Sequence, residues 1–381
     1  MLRKFKNVDA SIIVILLILM AISGLLVYSA TVDDPKIGFD LKKMLIIDGI
    51  AVLAFLGVTF IDYRIMMKIA PYLYITGIAL LVAVYLFGVE KNKAKSWFKL
   101  FGNLEFQPAE LVKLLLIIAL AAFLARKKGE NLKFITGVVP VGVLTFVPFI
   151  LVLIQPDLGN AIIFLVIFIG MLWIGNIKYT HFLVGLALAV GGIALFLYLF
   201  SHFHDPIKEF LVSKEKGHWV ARIDTFLDPN SATSDERYQV ENATKAIGSG
   251  ALFGEKYLHG SSVHRGYIPY AYSDSIFVVV GEEFGFMGAS VLLLLYFVLI
   301  YRMILISLQC GDHGGSFIIT GIVSMFVFQI FENIGMLIGI MPLTGITLPF
   351  ISYGGTSLMI NMMSMGLVMS IKVHQEKEPS Y

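Results

Sequence analysis

Apolar residues fall along this chain in blocks of about 17–25, the length at which a helix crosses the hydrocarbon core of a bilayer. Ten such blocks are legible, at roughly 9–30, 44–61, 67–88, 107–125, 134–154, 158–175, 180–201, 274–302, 315–341 and 348–371. The pattern predicts an all-α polytopic membrane protein, one integral membrane domain over 1–381, with an even number of spans and both termini on the same side. The polar segments between blocks are short except for 202–273, which reads as a long loop between spans seven and eight. Within it Val240, Ala243 and Ile247 share one face at spacings of three and four, so 239–247 is expected to form an amphipathic helix ending at Gly248. Gly250 and Gly254 then mark a turn-rich stretch.

Proline refines the pattern. Phe106-Gln-Pro-Ala-Glu110 opens the fourth block and Ile154-Gln-Pro-Asp157 the sixth. Both place proline near a first helical turn, where its missing N–H costs nothing, and an acid near the positive end of the helix. Pro342 and Pro349 interrupt the segment between the last two blocks, which is also rich in glycine and hydroxyl side chains. Irregular backbone at membrane depth is tolerated only where protein or a watery cavity covers it. This segment therefore reads as re-entrant or pocket-lining, with Ser352, Tyr353, Gly354 and Gly355 in it.

Composition agrees: 57% of residues are hydrophobic and 15% charged, against about 25% charged in a typical soluble domain. A single cysteine, Cys310, excludes an internal disulfide. A net charge of +2 favours no class of partner, and nothing points to nucleic acid. The first apolar block lacks a small-residue cleavage site and reads as a span, not as a removable signal. Basic residues decide sidedness. Arg3, Lys4, Lys6, Arg64, Lys68, Arg126, Lys127, Lys128, Lys133, Lys178, Arg302, Lys372 and Lys377 fall on one side. They outnumber Lys36, Lys42, Lys43, Lys91, Lys93, Lys95 and Lys99 in the short segments on the other, the loop 202–273 being too long to enter the count. The termini are expected in the cytoplasm and the long loop outside.

Ionisable groups inside spans are costly and usually face a cavity or a partner. Glu110 and Lys113 are three apart and adjacent on one helix face, and Asp157 at the mouth of the sixth span is expected to pair with Lys113. A buried ion pair that fixes helix packing explains these residues as well as a binding role does. Asp274 begins the eighth block, where a helix N-cap is the bland reading. An accessible carboxylate at a polar loop also suits a general base, and the two roles are compatible. Glu282 and Glu283 are neighbours about 100° apart on a helix, so both cannot face one cavity fully. Glu332 reads as a polar tie between helices. Trp97, among the lysines, is an ordinary interfacial tryptophan, while the lysines suit either solvent or an anionic head group. No nucleotide-phosphate loop, metal-ligand cluster or nucleophile triad is present, and His259 and His264 lack a metal spacing.

The motifs together resemble the SEDS family (shape, elongation, division and sporulation), the RodA and FtsW type. The matching stretches are Phe106-Gln-Pro-Ala-Glu-Leu-Val-Lys113, Gln155-Pro-Asp-Leu-Gly159, Tyr238-Gln239 with Ala246-Ile-Gly-Ser-Gly250 and Leu252-Phe-Gly254, Ser273-Asp274 with Gly281-Glu-Glu-Phe-Gly285, and Asn333-Ile-Gly-Met336 through Pro349-Phe-Ile-Ser-Tyr-Gly-Gly355. The Asn-Ile-Gly-Met and Met-Pro-Leu-Thr-Gly-Ile portions look closer to RodA.

The resemblance implies a peptidoglycan glycosyltransferase that polymerises lipid II at the outer face of the cytoplasmic membrane. Asp274 would be its base. Trp97, Glu110, Lys113, Asp157, Arg222 and Gln239 would bind substrate. No organic cofactor is implied. A divalent cation suits the pyrophosphate, but no ligand for it can be named. The implied partner is a class B penicillin-binding protein, and the implied role is cell elongation and rod shape. The chain departs from the family pattern at Ser275, where phenylalanine is common, at Tyr272, where histidine is common, and at Lys256, which stands where a second glycine often follows. These departures bear on substrate contacts more than on reaction type. Taken alone, the residues also fit a lipid-linked-precursor flippase or a non-catalytic scaffold for a transpeptidase.

Overall fold

Every apolar block becomes a helix. The computed structural model describes residues 8–33, 40–91, 94–99, 105–127, 129–213 and 234–375. In chain order the helices are Ala10–Thr31 (α1), Leu41–Phe60 (α2), the short Tyr63–Lys68 (α3), Ala70–Phe87 (α4), Pro108–Ala125 (α5), Val139–Ile154 (α6), Leu158–Ile174 (α7) and Tyr179–His202 (α8). They continue with His204–Ser213 (α9), Ser234–Ser249 (α10), Ser261–His264 (α11), Ile276–Gln309 (α12), His313–Leu337 (α13) and Gly355–His374 (α14). Among the described residues nine helices are long and apolar enough to cross a bilayer, and α7 is a shorter apolar one. Aspartates start several of them. Asp9, Asp40, Asp62, Asp157 and Asp312 each accept a backbone N–H of the helix that follows, satisfying donors the first turn leaves open. Pro108 is the first residue of α5, as its missing N–H allows. Pro156 lies one residue before the cap of α7 instead of in its first turn.

Helices α5 and α14 are buried along most of their length and form the centre of the bundle. Helix α14 packs along α2, α13 lies against α5, α7 and α12, and α1 and α10 both pack on α12. Most described side chains of α8 are exposed, so this helix is peripheral.

Hydrogen bonds knit each end of the bundle separately. At one end Arg302 Nη2 reaches Asp9 Oδ2 at 2.5 Å, Tyr63 donates to Asp312 at 3.0 Å, and Leu132 N donates to Asn176 O at 3.1 Å. At the other, Ser96 Oγ donates to the Gln155 carbonyl at 3.3 Å, Thr356 to that of Glu105, and Thr244 to that of Leu337 at 3.3 Å. This second end carries the candidate chemistry and is called the loop face below.

Three features go beyond the sequence pattern. Val89–Lys91 (β1), Ala94–Lys99 (β2) and Glu105–Phe106 (β3) form a small antiparallel sheet. The long loop holds α9 before the amphipathic helix α10, which is longer at both ends than its apolar spacing indicates. Helix α12 is not one span. Gly285 has φ 62° and ψ −158° and breaks it into a buried segment, 276–284, and a segment over 286–309. The second segment runs roughly 36 Å at 1.5 Å per residue, enough to cross the bilayer alone. Asp274 therefore does not begin a span. It precedes a separate short helix packed at the loop face.

Candidate functional site

Asp274 lies one residue before the end of a turn over residues 269–275 and is half-buried. The N-cap position of the following helix belongs to Ser275, with φ −94° and ψ 15°, and no side chain caps that helix. The capping role expected for Asp274 is thus not the one it plays. The backbone leading to it is held instead. Tyr353 N donates to the Tyr272 carbonyl at 2.9 Å, Ser352 Oγ to the Ser273 carbonyl at 2.6 Å, and Asn333 Nδ2 to the Asp274 carbonyl at 2.7 Å. All three donors come from the end of α13 and the irregular segment 338–354. This is the proline-interrupted stretch read as pocket-lining, and its Ile346, Leu348, Phe350 and Ile351 are buried. Ser352 Oγ also accepts Leu348 N at 2.8 Å, and Asn333 Nδ2 also reaches the Ile346 carbonyl at 2.7 Å. Tyr353 meets Tyr272 edge-on at 6.1 Å, and Gly354 and Gly355 lead into α14. A methyl group on Gly345, whose φ is +73°, would stand 3.6 Å from Asp274 Oδ2, so this segment borders the carboxylate itself.

The intramembrane charges form a second cluster beside the same segment. Lys113 is fully buried, with Nζ 2.9 Å from Glu110 Oε1 and 2.8 Å from Asn160 Oδ1. Asp157 accepts Asn160 N at 3.2 Å, Asn160 Nδ2 at 2.9 Å and Gln107 Nε2 at 2.7 Å. The expected direct pair of Lys113 with Asp157 is therefore replaced by a relay. Asn160, one helical turn past the cap, faces Asp157 with its N–H groups and Lys113 with its oxygen. Glu110 Oε2 and both oxygens of the buried Glu332 have no hydrogen-bond partner among the described residues. The relay adjoins the Asp274 loop through Gly159. A Cβ there would lie 2.7 Å from Ile346 and 2.9 Å from Thr344, so only glycine lets the start of α7 press onto 344–346. The segment 344–346 thus has Asp274 on one side and the Asp157 corner on the other.

Trp97 is half-buried in β2, paired with Val89. The Ser96 bond to Gln155 sets its strand beside the Asp157 corner. Gln239 is half-buried on α10, next to Val240, which faces Gly339 at the start of the irregular segment. Arg222 lies outside the described residues. Among the described residues no group of three or more His, Cys, Asp or Glu side chains is placed to hold a metal ion.

The family model described as "Cell cycle protein", that of FtsW, RodA and SpoVE, matches residues 8–377. The chain belongs to this family. It is 33% identical to stage V sporulation protein E of Bacillus subtilis, over 97% of this chain and 98% of that one. It is also 33% identical to peptidoglycan glycosyltransferase MrdB of Escherichia coli K12, over 97% and 95%. Among solved structures it superposes on the rod shape determining protein RodA of Thermus thermophilus with a TM-score of 0.66 and 26% identity, covering 97% of this chain and 98% of that one. A chain of a peptidoglycan synthase complex that coordinates polymerization and crosslinking gives a TM-score of 0.77 at 28% identity, over 97% and 99%. The chain is accordingly a multi-pass bacterial membrane protein. Equal identity to SpoVE and MrdB does not assign it to one branch.

In this family member both glutamates of the Gly281–Gly285 motif hold the loop that precedes α12. Glu282 accepts Ser262 N at 2.7 Å and Val263 N at 3.1 Å. Glu283 Oε1 accepts Ser29 Oγ at 2.5 Å and lies 3.1 Å from His264 Nε2, while His264 Nδ1 is 2.6 Å from Asp33. Pointing apart, as the helical geometry requires, they tie α12 to α11 and to the end of α1. The glycines of the preceding motif cover the break at Gly285. Glu255 N donates to the Glu282 carbonyl at 2.8 Å and Lys256 N to that of Glu283 at 3.2 Å. Phe286 N and Met287 N donate back to Ala251 and Leu252 at 2.9 and 3.0 Å. Residues 250–256 thus satisfy the backbone groups that the broken helix releases. Glu255 in turn accepts the Ser261 N–H at 2.9 Å, which holds its carboxyl below the usual glutamate range.

Asn160 stands outside the motifs read from the sequence, Gln107 and Asn333 stood in them without a role, and His264 was weighed only as a metal ligand. Asn160 had a local signal, three residues after an Asp that caps a helix. Asn333 lay inside a quoted motif, but its partners are 59 and 13 residues away.

Proposed function

We propose that this protein is a peptidoglycan glycosyltransferase that polymerises lipid II, with Asp274 as the general base. The observation that supports this most is the setting of Asp274. It is a half-buried carboxylate that caps no helix, on backbone tied at three successive carbonyls, at the loop face of a membrane bundle. A base must be accessible to the proton it removes and held in one geometry. In the reaction the Asp274 carboxylate takes the proton of the acceptor sugar's 4-hydroxyl. That oxygen bonds to the donor's anomeric carbon as the bond from this carbon to the pyrophosphate oxygen breaks. Undecaprenyl pyrophosphate leaves with the electron pair, and the proton remains on Asp274. Lys113, Asp157 and Trp97 serve the substrate side of the same pocket.

The excess of basic residues in the short segments at the opposite end supports cytoplasmic termini and a loop face turned outward. The likeness to a chain of a synthase complex supports a crosslinking partner, which we take to be a class B penicillin-binding protein. The Asn333–Met336 and Met341–Ile346 sequences favour elongation and rod shape over division.

The test is polymerisation of labelled lipid II by the purified protein with its transpeptidase, comparing wild type with Asp274→Asn. Glycan ladders from wild type alone, with the variant folded and partner-bound, are expected. Equal ladders would remove Asp274 as base. No ladder from either would overturn the polymerase and favour precursor transport.

A further inference from the structure

Three consecutive carbonyls lead to the Asp274 side chain, and each accepts one hydrogen bond from the end of α13 or the segment after it. One of the three donors is backbone, Tyr353 N. The other two are side chains, Ser352 Oγ and Asn333 Nδ2. We propose that Asn333, with Ser352, positions Asp274 for proton transfer. This rests on Asp274 being the base.

The geometry distinguishes positioning from mere burial. Asn333 is fully buried and spends both amide hydrogens on carbonyls of two different loops, Asp274 in one and Ile346 in the other. Its own oxygen is left without a partner among the described residues. An unsatisfied buried acceptor costs about 1–3 kcal/mol, and an apolar residue filling the same space would avoid that cost. What an apolar residue could not do is fix the spacing of the two loops at the point where they flank the carboxylate, since a Cβ on Gly345, next to Ile346, would stand 3.6 Å from Asp274 Oδ2. Ser352 does the same one residue earlier. Its hydroxyl accepts from Leu348 N and donates to the Ser273 carbonyl, so the irregular segment and the Asp274 turn share one oxygen.

A group that acts only through Asp274 affects the chemical step and leaves substrate binding alone. The experiment uses the full chain with its transpeptidase partner and labelled lipid II. Asn333→Asp keeps the shape and loses both amide donors. Ser352→Ala loses the hydroxyl, and Ser352→Thr keeps it. The expected result is a fall in kcat of about 10- to 100-fold in Asn333→Asp and Ser352→Ala, the scale of a misplacement of about 1 Å. KM and partner binding stay unchanged, and Ser352→Thr recovers most of the rate. If Asn333→Asp does not fold, the serine pair carries the same comparison. Wild-type kcat in Ser352→Ala, a raised KM with kcat unchanged, or no recovery in Ser352→Thr overturns the proposal. Asp274→Asn in the same assay separates the two levels. If it is inactive while Asn333→Asp and Ser352→Ala run at full rate, only the positioning fails. If Asp274→Asn is itself fully active, the base assignment fails with it.

Discussion

Lys113 is a fully buried cation whose position depends on Glu110 and Asn160. Taking charges out of water is expensive, and removing one partner of a buried pair costs about 3–5 kcal/mol because the other charge is left uncompensated. Lys113→Met should therefore lower the unfolding temperature in detergent markedly, and Glu110→Gln added to it should restore much of the loss. A Lys113→Met protein that unfolds like wild type but has lost lipid II binding would show that the lysine serves substrate alone. Half of this arrangement was legible, because residues three apart on a helix are neighbours whatever the tertiary fold. The other half was not. Asn160 is 47 positions from Lys113, and no local rule separates a direct Lys–Asp pair from one relayed by an amide. For the same reason the sequence pointed to Asp274 while leaving its supports unassigned. A carboxylate at the edge of an apolar block is visible alone, but the donors that hold the backbone beneath it lie 59 and 79 positions away.

At the scale of elements, apolar blocks located the helices well, since a bilayer-length run has few alternatives. The pattern failed where hydrophobicity continues through a change of direction. Residues 276–309 are apolar on both sides of Gly285, and the break shows only in the backbone, at φ 62° and ψ −158°. It failed again at β1–β3, where short lysine-rich strands carry no alternating pattern. The break itself is testable. A side chain at Gly285 would sit in a region open essentially to glycine, a strain of about 1–3 kcal/mol. Its Cβ would also come within 2.5 Å of Gly254 N and 2.7 Å of the Gly250 carbonyl. Gly285→Ala should loosen residues 250–256 from the helix, seen as faster hydrogen exchange there, and should lower polymerisation. A variant with wild-type exchange and activity would mean that the glycine contacts do not hold the loop.

At the scale of the whole molecule, function depends on which way the bundle faces. Asp274, Asp157 and Trp97 are at the loop face, and in the segments short enough to set orientation the excess of lysine and arginine is at the other end. If that excess sets orientation, the small sheet is outside and the turn after α5 is in the cytoplasm. The single cysteine, Cys310, lies at the proposed inner end beside Asp312 and is replaced by serine to give a silent background. On that background Lys95→Cys, at an exposed position of β2, should react with a membrane-impermeant maleimide in intact cells. Lys127→Cys, after α5, should react only once the membrane is opened. The reverse labelling would put Asp274 in the cytoplasm, out of reach of a substrate polymerised outside. The polymerase reading would then fail at the scale of the molecule, even with every residue contact intact. The expected labelling leaves the chemistry of Asp274 to the polymerisation assay, and fixes the compartment in which that assay has meaning.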